Sequence, residues 1–258
     1  MSFTRLACFL VGFASCVHAQ TKSRPVDSRL LDLPLAPVRV VQDKVPFSNA
    51  FEQIGIRVRN SFVLFGVETH LRGGKELAVS LDLPPGSTVG SALQQVLRQV
   101  PDYTYEIAGR HLINVYPLGA KTDAQNVLNT VVRRFDVAGE QASSILSAPE
   151  FFIPELKRRL APPTEGAPGP SGYAGRGLRG TAPPVTLHLT SVTVRQILNA
   201  IAEATEQFPP QYAPLGWVYS FQPDPALPSG GKHTWAFLFC APHNWKEEAE
   251  KQSTPPPQ

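Results

Sequence analysis

The sequence predicts an α+β protein made of two small βαββαββ-like modules, the second diverged and interrupted by a Pro/Gly-rich loop. Three observations carry that expectation. Leu77 to Pro117 alternates apolar and polar residues, switches to helical spacing, then alternates again. The pattern returns from Val185: Val79-x-Leu81-x-Leu83 is echoed by Val185-x-Leu187-x-Leu189, and Thr88-Val89-x-x-Ala92-Leu93-x-x-Val96-Leu97 by Thr193-Val194-x-x-Ile197-Leu198-x-x-Ile201-Ala202. Between the copies, half of residues 161–184 are proline or glycine, a composition that buries too little apolar area to fold alone.

The chain opens on an export signal, residues 1–19. Arg5 precedes the uncharged run Leu6 to Val17, and Val17-His18-Ala19 fits small-x-small cleavage before Gln20. Gly12-Phe13-Ala14-Ser15-Cys16 offers an alternative, a loose lipoprotein signal in which Cys16 is acylated. The apolar run is too short for a mature span, and nothing later approaches the roughly 18 apolar residues one needs. The expected product is therefore soluble or lipid-anchored, in the periplasm or at the outer membrane of a bacterium. Cys8 and Cys16 both lie in the signal, so plain export leaves Cys240 alone of the 3 cysteines, with no internal disulfide. An apolar core must then hold the fold, and about 240 residues can supply one or two domains. The formal charge of +3 falls to +2 when Arg5 is removed. That is too mild a balance to point to nucleic acid.

Residues 20–37 read as a polar, proline-punctuated spacer. The first module, 38–117, begins with a strand at Val38 to Val41. Pro46 opens a helix, where its missing N–H costs nothing, and Phe47, Ala50, Phe51, Ile54 and Val58 share a face. Ser61 to Glu68 is a buried strand and Arg72 to Lys75 a turn. Val79, Leu81 and Leu83 then face one way, and Pro84-Pro85-Gly86 stops the strand. Ser87 or Thr88 caps a helix with the stripe Val89, Leu93, Val96, Leu97 and Val100. A hairpin over 103–116 closes the module.

The second module, 127–243, starts with a strand from Val127 to Val137 with Val131, Arg133, Phe135 and Val137 on one face. A helix over 141–160 is broken by Pro149 and Pro154. The flexible loop 161–184 stands where the first module has its Ser61 to Glu68 strand. Strand 185–189 and a helix from Val194 follow, with Thr193-x-x-Gln196 as a capping box. Strands Trp217 to Phe221 and Thr234 to Phe239 complete it, and 244–258 reads as a disordered tail.

The 38–117 unit resembles the secretin and TonB short N-terminal domain, a small periplasmic α+β module. The resemblance rests on element order, on Val79-x-Leu81-x-Leu83 before Thr88-Val89-x-x-Ala92-Leu93-x-x-Val96-Leu97, and on the hairpin Tyr103-x-Tyr105-Glu106…Ile113-x-Val115. It covers about a third of the chain. It implies protein recognition in the envelope and brings no catalytic residues. That family's module usually precedes an outer-membrane barrel, whereas here a second module follows.

Candidate chemistry is sparse. Gly175-x-Gly177-x-x-Gly180 has the spacing of a dinucleotide fingerprint but lies in the Pro/Gly loop and runs into a strand, without the helix N-terminus that phosphate binding needs. His233, Cys240 and His243 include a Cys-x-x-His ligand spacing, yet Cys240 ends the apolar run Trp235 to Phe239 as a small core residue would. His111 and His188 fall on strands with no sequence-near carboxylate to orient them as bases. No Gly-x-Ser-x-Gly or His-Glu-x-x-His motif is present. Lys157-Arg158-Arg159 is a solvated helix end, or with Arg176 and Arg179 an acidic-partner contact. Trp217, Tyr219 and Phe221, and Trp235, Phe237 and Phe239, read as core faces of neighbouring strands.

The sequence thus suggests a non-catalytic interaction module or accessory subunit of an envelope complex, with an envelope protein as partner and no cofactor. Tyr173, Arg176, Leu178 and Arg179 are the candidate contacts on the loop, and the edges of the two hairpins offer strand addition. The alternative is an envelope metal-binding protein or hydrolase using His233, Cys240 and His243.

Overall fold

The computed structural model describes residues 28–39, 44–59, 61–160, 184–207, 214–227 and 229–240. In chain order the elements are β1 (Val38–Arg39), β2 (Val45–Pro46), α1 (Phe47–Gly55), β3 (Leu64–His70), β4 (Ala78–Val79), β5 (Asp82–Leu83), α2 (Val89–Leu97), β6 (Tyr103–Ile107), β7 (Leu112–Pro117), β8 (Val131–Gln141), α3 (Ala142–Ser147), α4 (Pro154–Leu160), β9 (Pro184–Thr193), α5 (Val194–Thr205), β10 (Leu215–Pro223) and β11 (Gly231–Phe239). The class is α+β. No described helix is long and apolar enough to cross a membrane.

Local chemistry explains most of these elements. Phe47, Ala50, Phe51 and Ile54 of α1, and Val58 just beyond it, are fully buried. Pro46 gives the helix no side-chain cap; the Glu76 carboxylate accepts instead from Ser48 N and Oγ at 2.9 and 2.7 Å. Helices α2 and α5 each begin with a threonine capping box, Thr88 with Ser91 and Thr193 with Gln196, which satisfies N–H groups that the first turn cannot pair. Val79, Leu81 and Leu83 are buried and their polar neighbours exposed, as the alternation requires. Prolines 149 and 154 divide the expected long helix into α3, a 3-10 turn at Pro149–Phe151, and α4.

Strand pairing departs from two self-contained βαββαββ modules. A five-stranded sheet runs in the order β11-β10-β3-β7-β6, drawing strands from both halves of the chain. β3 lies at its centre, parallel to β7 on one side and to β10 on the other. The physical reason is an open strand edge. The second stretch has no described counterpart of β3, so its hairpin β10–β11 satisfies the free flank of β3 itself. One apolar core follows, continuous from Leu30 to Cys240. Phe51 of α1 packs on Phe65 on one sheet face, and α5 covers the opposite face through Arg195 and Asn199. The sheet is thus sandwiched between helices.

Two further expectations are corrected. Part of the spacer, Ser28–Asp32, forms a 3-10 turn, and Leu30, Leu35 and Ala36 are buried; the apolar residues among those prolines are enough to dock the segment. The strand expected from Val127 begins late. Asn126 caps a 3-10 turn over Val127–Asn129, and β8 starts at Val131, which is 60% exposed, while Val132, Phe135 and Val137 turn inward. Between Val137 and Glu140 the β8–β9 register shifts, and Gly139 takes the left-handed φ of 71° there, which costs glycine least.

Candidate functional site

Strand alternation sets one face of β3 as Gly66, Glu68 and His70. Across the parallel pairing these meet Trp217, Tyr219 and Phe221 of β10, and across the next pairing Phe237, Trp235 and His233 of β11. Gly66 is required by crowding: a Cβ there would collide with Asn114 Oδ1 and the Trp217 ring. Trp217, Tyr219 and Trp235 are buried, so the aromatic faces read from the sequence are core. Phe221 and His233 sit at the margin of that core, where it opens.

The opening is a cavity of about 540 Å³ at the C-terminal ends of β3 and β10. Its walls include Glu68, His70, Asn126, Arg159, Tyr219, Phe221 and His233. At its base Glu68, fully buried, pairs with Arg195 of α5 at 2.8 Å and accepts from Asn126 Nδ2 at 2.5 Å. Arg195 also lies over the Tyr116 ring, 5.4 Å from its centre. The buried carboxylate is thereby neutralised before it faces the cavity.

The Tyr219 hydroxyl and His233 Nδ1 are 2.8 Å apart. Burial, with Glu68 nearby, pushes the Tyr219 phenol well above its ordinary range, so it keeps its proton and donates to Nδ1. Burial also lowers the His233 pKa, which favours a neutral ring with its proton on Nε2. That Nε2 is buried without a well-formed hydrogen bond, although the Ser229 backbone favours its charged form. Arg159, from the end of α4, donates to Thr130 Oγ1 at 2.9 Å and to the Ala124 carbonyl at 2.5 Å. Among the described residues no carboxylate pairs with it.

The residues singled out from sequence are scattered. His233 and Cys240 are separated by the length of β11, about 23 Å of extended chain, so the two cannot hold one ion; His243 lies outside the described residues. Cys240 is buried, and burial pushes its thiol up to about 12. Tyr173, Arg176, Leu178, Arg179, the Gly175–Gly180 motif and Cys16 also lie outside them. The two strand histidines do have carboxylate partners, from distant sequence: His111 Nδ1 is 3.1 Å from Glu206 and His188 Nδ1 2.9 Å from Asp136. Of the basic cluster, Arg159 turns to the cavity while Arg158 reaches Glu155 at 3.9 Å on the surface.

No family model matches this sequence, and no curated protein or solved structure matches it either.

Proposed function

We propose that this chain is an exported bacterial envelope protein that works by binding a protein partner, and that an extended segment of the partner adds to the edge of β11. The observation that carries the reading is the composition of that edge. Among the described residues no strand pairs with β11 other than β10, and near its C-terminal end the Glu52 carboxylate takes the Phe239 N–H. It is nine residues long, GKHTWAFLF, with one lysine and no proline. Sheet edges left bare are normally blunted by charge, proline or shortness, and a long apolar edge is a template for another strand. The opposite edge, β6, is five residues long. The export signal and the likeness of 38–117 to a periplasmic recognition module support the envelope setting. Tyr173, Arg176, Leu178 and Arg179 belong to the same proposal as further contacts.

The test uses proline at Ala236 and, separately, at Phe237. Successive N–H groups of a strand point to opposite sides, so one substitution removes an N–H that pairs with β10 and the other an N–H on the outer edge, together with the partly buried Phe237 ring. The outer-edge variant should keep wild-type circular dichroism and lose the crosslinked partner captured from native cells. Retention of that partner by the folded variant would refute strand addition at β11. Loss of the partner on alanine substitution of the four loop residues alone would move the contact to the loop.

A further inference from the structure

We propose that the cavity at the C-terminal ends of β3 and β10 binds a small carboxylate bearing an aromatic or apolar body, gripped by His233 Nε2 and the Arg159 guanidinium with Phe221 against the body. The site uses the His233 side chain of β11 on the sheet face and not the strand's outer hydrogen-bonding edge, and its test does not depend on a protein partner.

Three observations converge on that ligand class. First, the cavity holds a buried donor with nothing well placed to accept from it. His233 is 4% exposed and lines the cavity, its Nδ1 is taken by the Tyr219 hydroxyl at 2.8 Å, and its buried Nε2, with the Ser229 backbone nearby, has no well-formed partner. An unpaired buried N–H is destabilising, and an acceptor on a ligand would relieve it. Second, a positive charge faces the same space with no carboxylate paired to it among the described residues. Arg159 spends its two terminal nitrogens on neutral oxygens, Thr130 Oγ1 and the Ala124 carbonyl, and these acceptors fix the guanidinium without cancelling its charge. Third, the buried acid nearby is already engaged: Glu68 is held by Arg195 and Asn126, so a cation would have to displace Arg195 to reach it. Asp123, on the same wall, gives one oxygen to the Gln125 backbone at 2.8 Å and keeps its charge.

The walls set the rest of the ligand. Phe221, whose ring meets that of His70 at 70° and 5.7 Å, and Val127 and Pro223 give the cavity an apolar wall. A volume of about 540 Å³ is within the range of small-molecule sites. The position also suits ligand entry, because parallel strands open at their C-terminal ends.

The experiment is a titration of the full mature chain, with benzoate as probe and benzylamine as its charge-reversed control, followed by nitrogen-15 NMR of the histidine rings. Benzoate should shift the His233 signals saturably, and benzylamine should not. Arg159→Gln and His233→Gln should each weaken benzoate binding by about tenfold or more, the loss expected for one hydrogen bond to a charged group. If His233→Gln fails to fold, Arg159→Gln at the half-exposed helix end decides the matter. Absence of a saturable shift at His233, an equal response to benzylamine, or unchanged affinity in folded Arg159→Gln would each overturn the proposal.

Discussion

Replacing Arg195 with methionine removes the cation that faces Glu68 across 2.8 Å while keeping much of the side-chain volume. At that distance, with an effective dielectric constant of about 20, the attraction is about 6 kcal/mol. Desolvating both ions costs several kcal/mol each, so the intact pair contributes little net stability. Removing one partner is different. Glu68 has no exposed surface and would keep only the Asn126 amide as a donor, so Arg195→Met is expected to cost about 3–5 kcal/mol. The double variant Glu68→Leu with Arg195→Met removes both charges, and Asn126 Nδ2 still has the Ala120 carbonyl at 3.2 Å. It should therefore regain most of the loss. Urea unfolding of the four proteins of the cycle gives the coupling, provided the slopes stay constant. A cost below about 1 kcal/mol for Arg195→Met, the size of a surface pair, would refute the account, and so would a double variant equal to the sum of the singles.

Four further outcomes are expected. Thr88→Ala and Thr193→Ala should each lower stability by about 1 kcal/mol by removing a helix cap, and thermal melts of the double variant should show the two losses adding. Gly66→Ala forces a methyl against Asn114 and the Trp217 ring, so chemical denaturation should show a loss of about 1–3 kcal/mol. Cys240, with its thiol raised to about 12, should be about one part in ten thousand thiolate near pH 8; iodoacetamide labelling should therefore follow global unfolding and accelerate with urea. His233 is held below its ordinary pKa, facing the neutral Tyr219 phenol and the Arg159 cation. Both folded and unfolded states leave it neutral at high pH, so the folded state loses stability only as pH falls below about 6.5 and the unfolded chain takes the proton more readily. His233→Gln should flatten that part of the stability–pH curve.

Much of the local structure was legible because local chemistry determines it. Phe47, Phe51 and Ile54 announce the buried face of α1, and Thr88 and Thr193 mark two helix starts with their own side chains. What stayed hidden depends on contacts remote in sequence. The hairpin over 215–239 could be read, but nothing within it says that Trp217 lies beside Gly66 rather than beside a strand of its own half. The cavity was equally hidden, since Glu68, Asn126, Arg159, Arg195 and His233 come from five separate stretches. One trace was available. Glu68 ends a run otherwise fit for burial, and Arg195 directly follows the first residue of a capped apolar helix; each is a charge where burial would demand an opposite one. Asn126 showed the opposite failure, since its side-chain cap on the Val127–Asn129 turn overrode a run of strand-forming residues.

The central position of β3 also dictates an order of events during synthesis. Its β7 flank can close once about 50 further residues exist, whereas its β10 flank waits for Trp217, 151 positions after Gly66. Closing so long a loop is entropically slow, and parallel pairing between remote strands slows folding further. Throughout that interval β3 carries a vacant hydrogen-bonding flank of apolar residues, open to any extended chain nearby. Truncation before residue 215 would make that vacancy permanent, so shortened forms should self-associate through the very strand that the complete chain encloses.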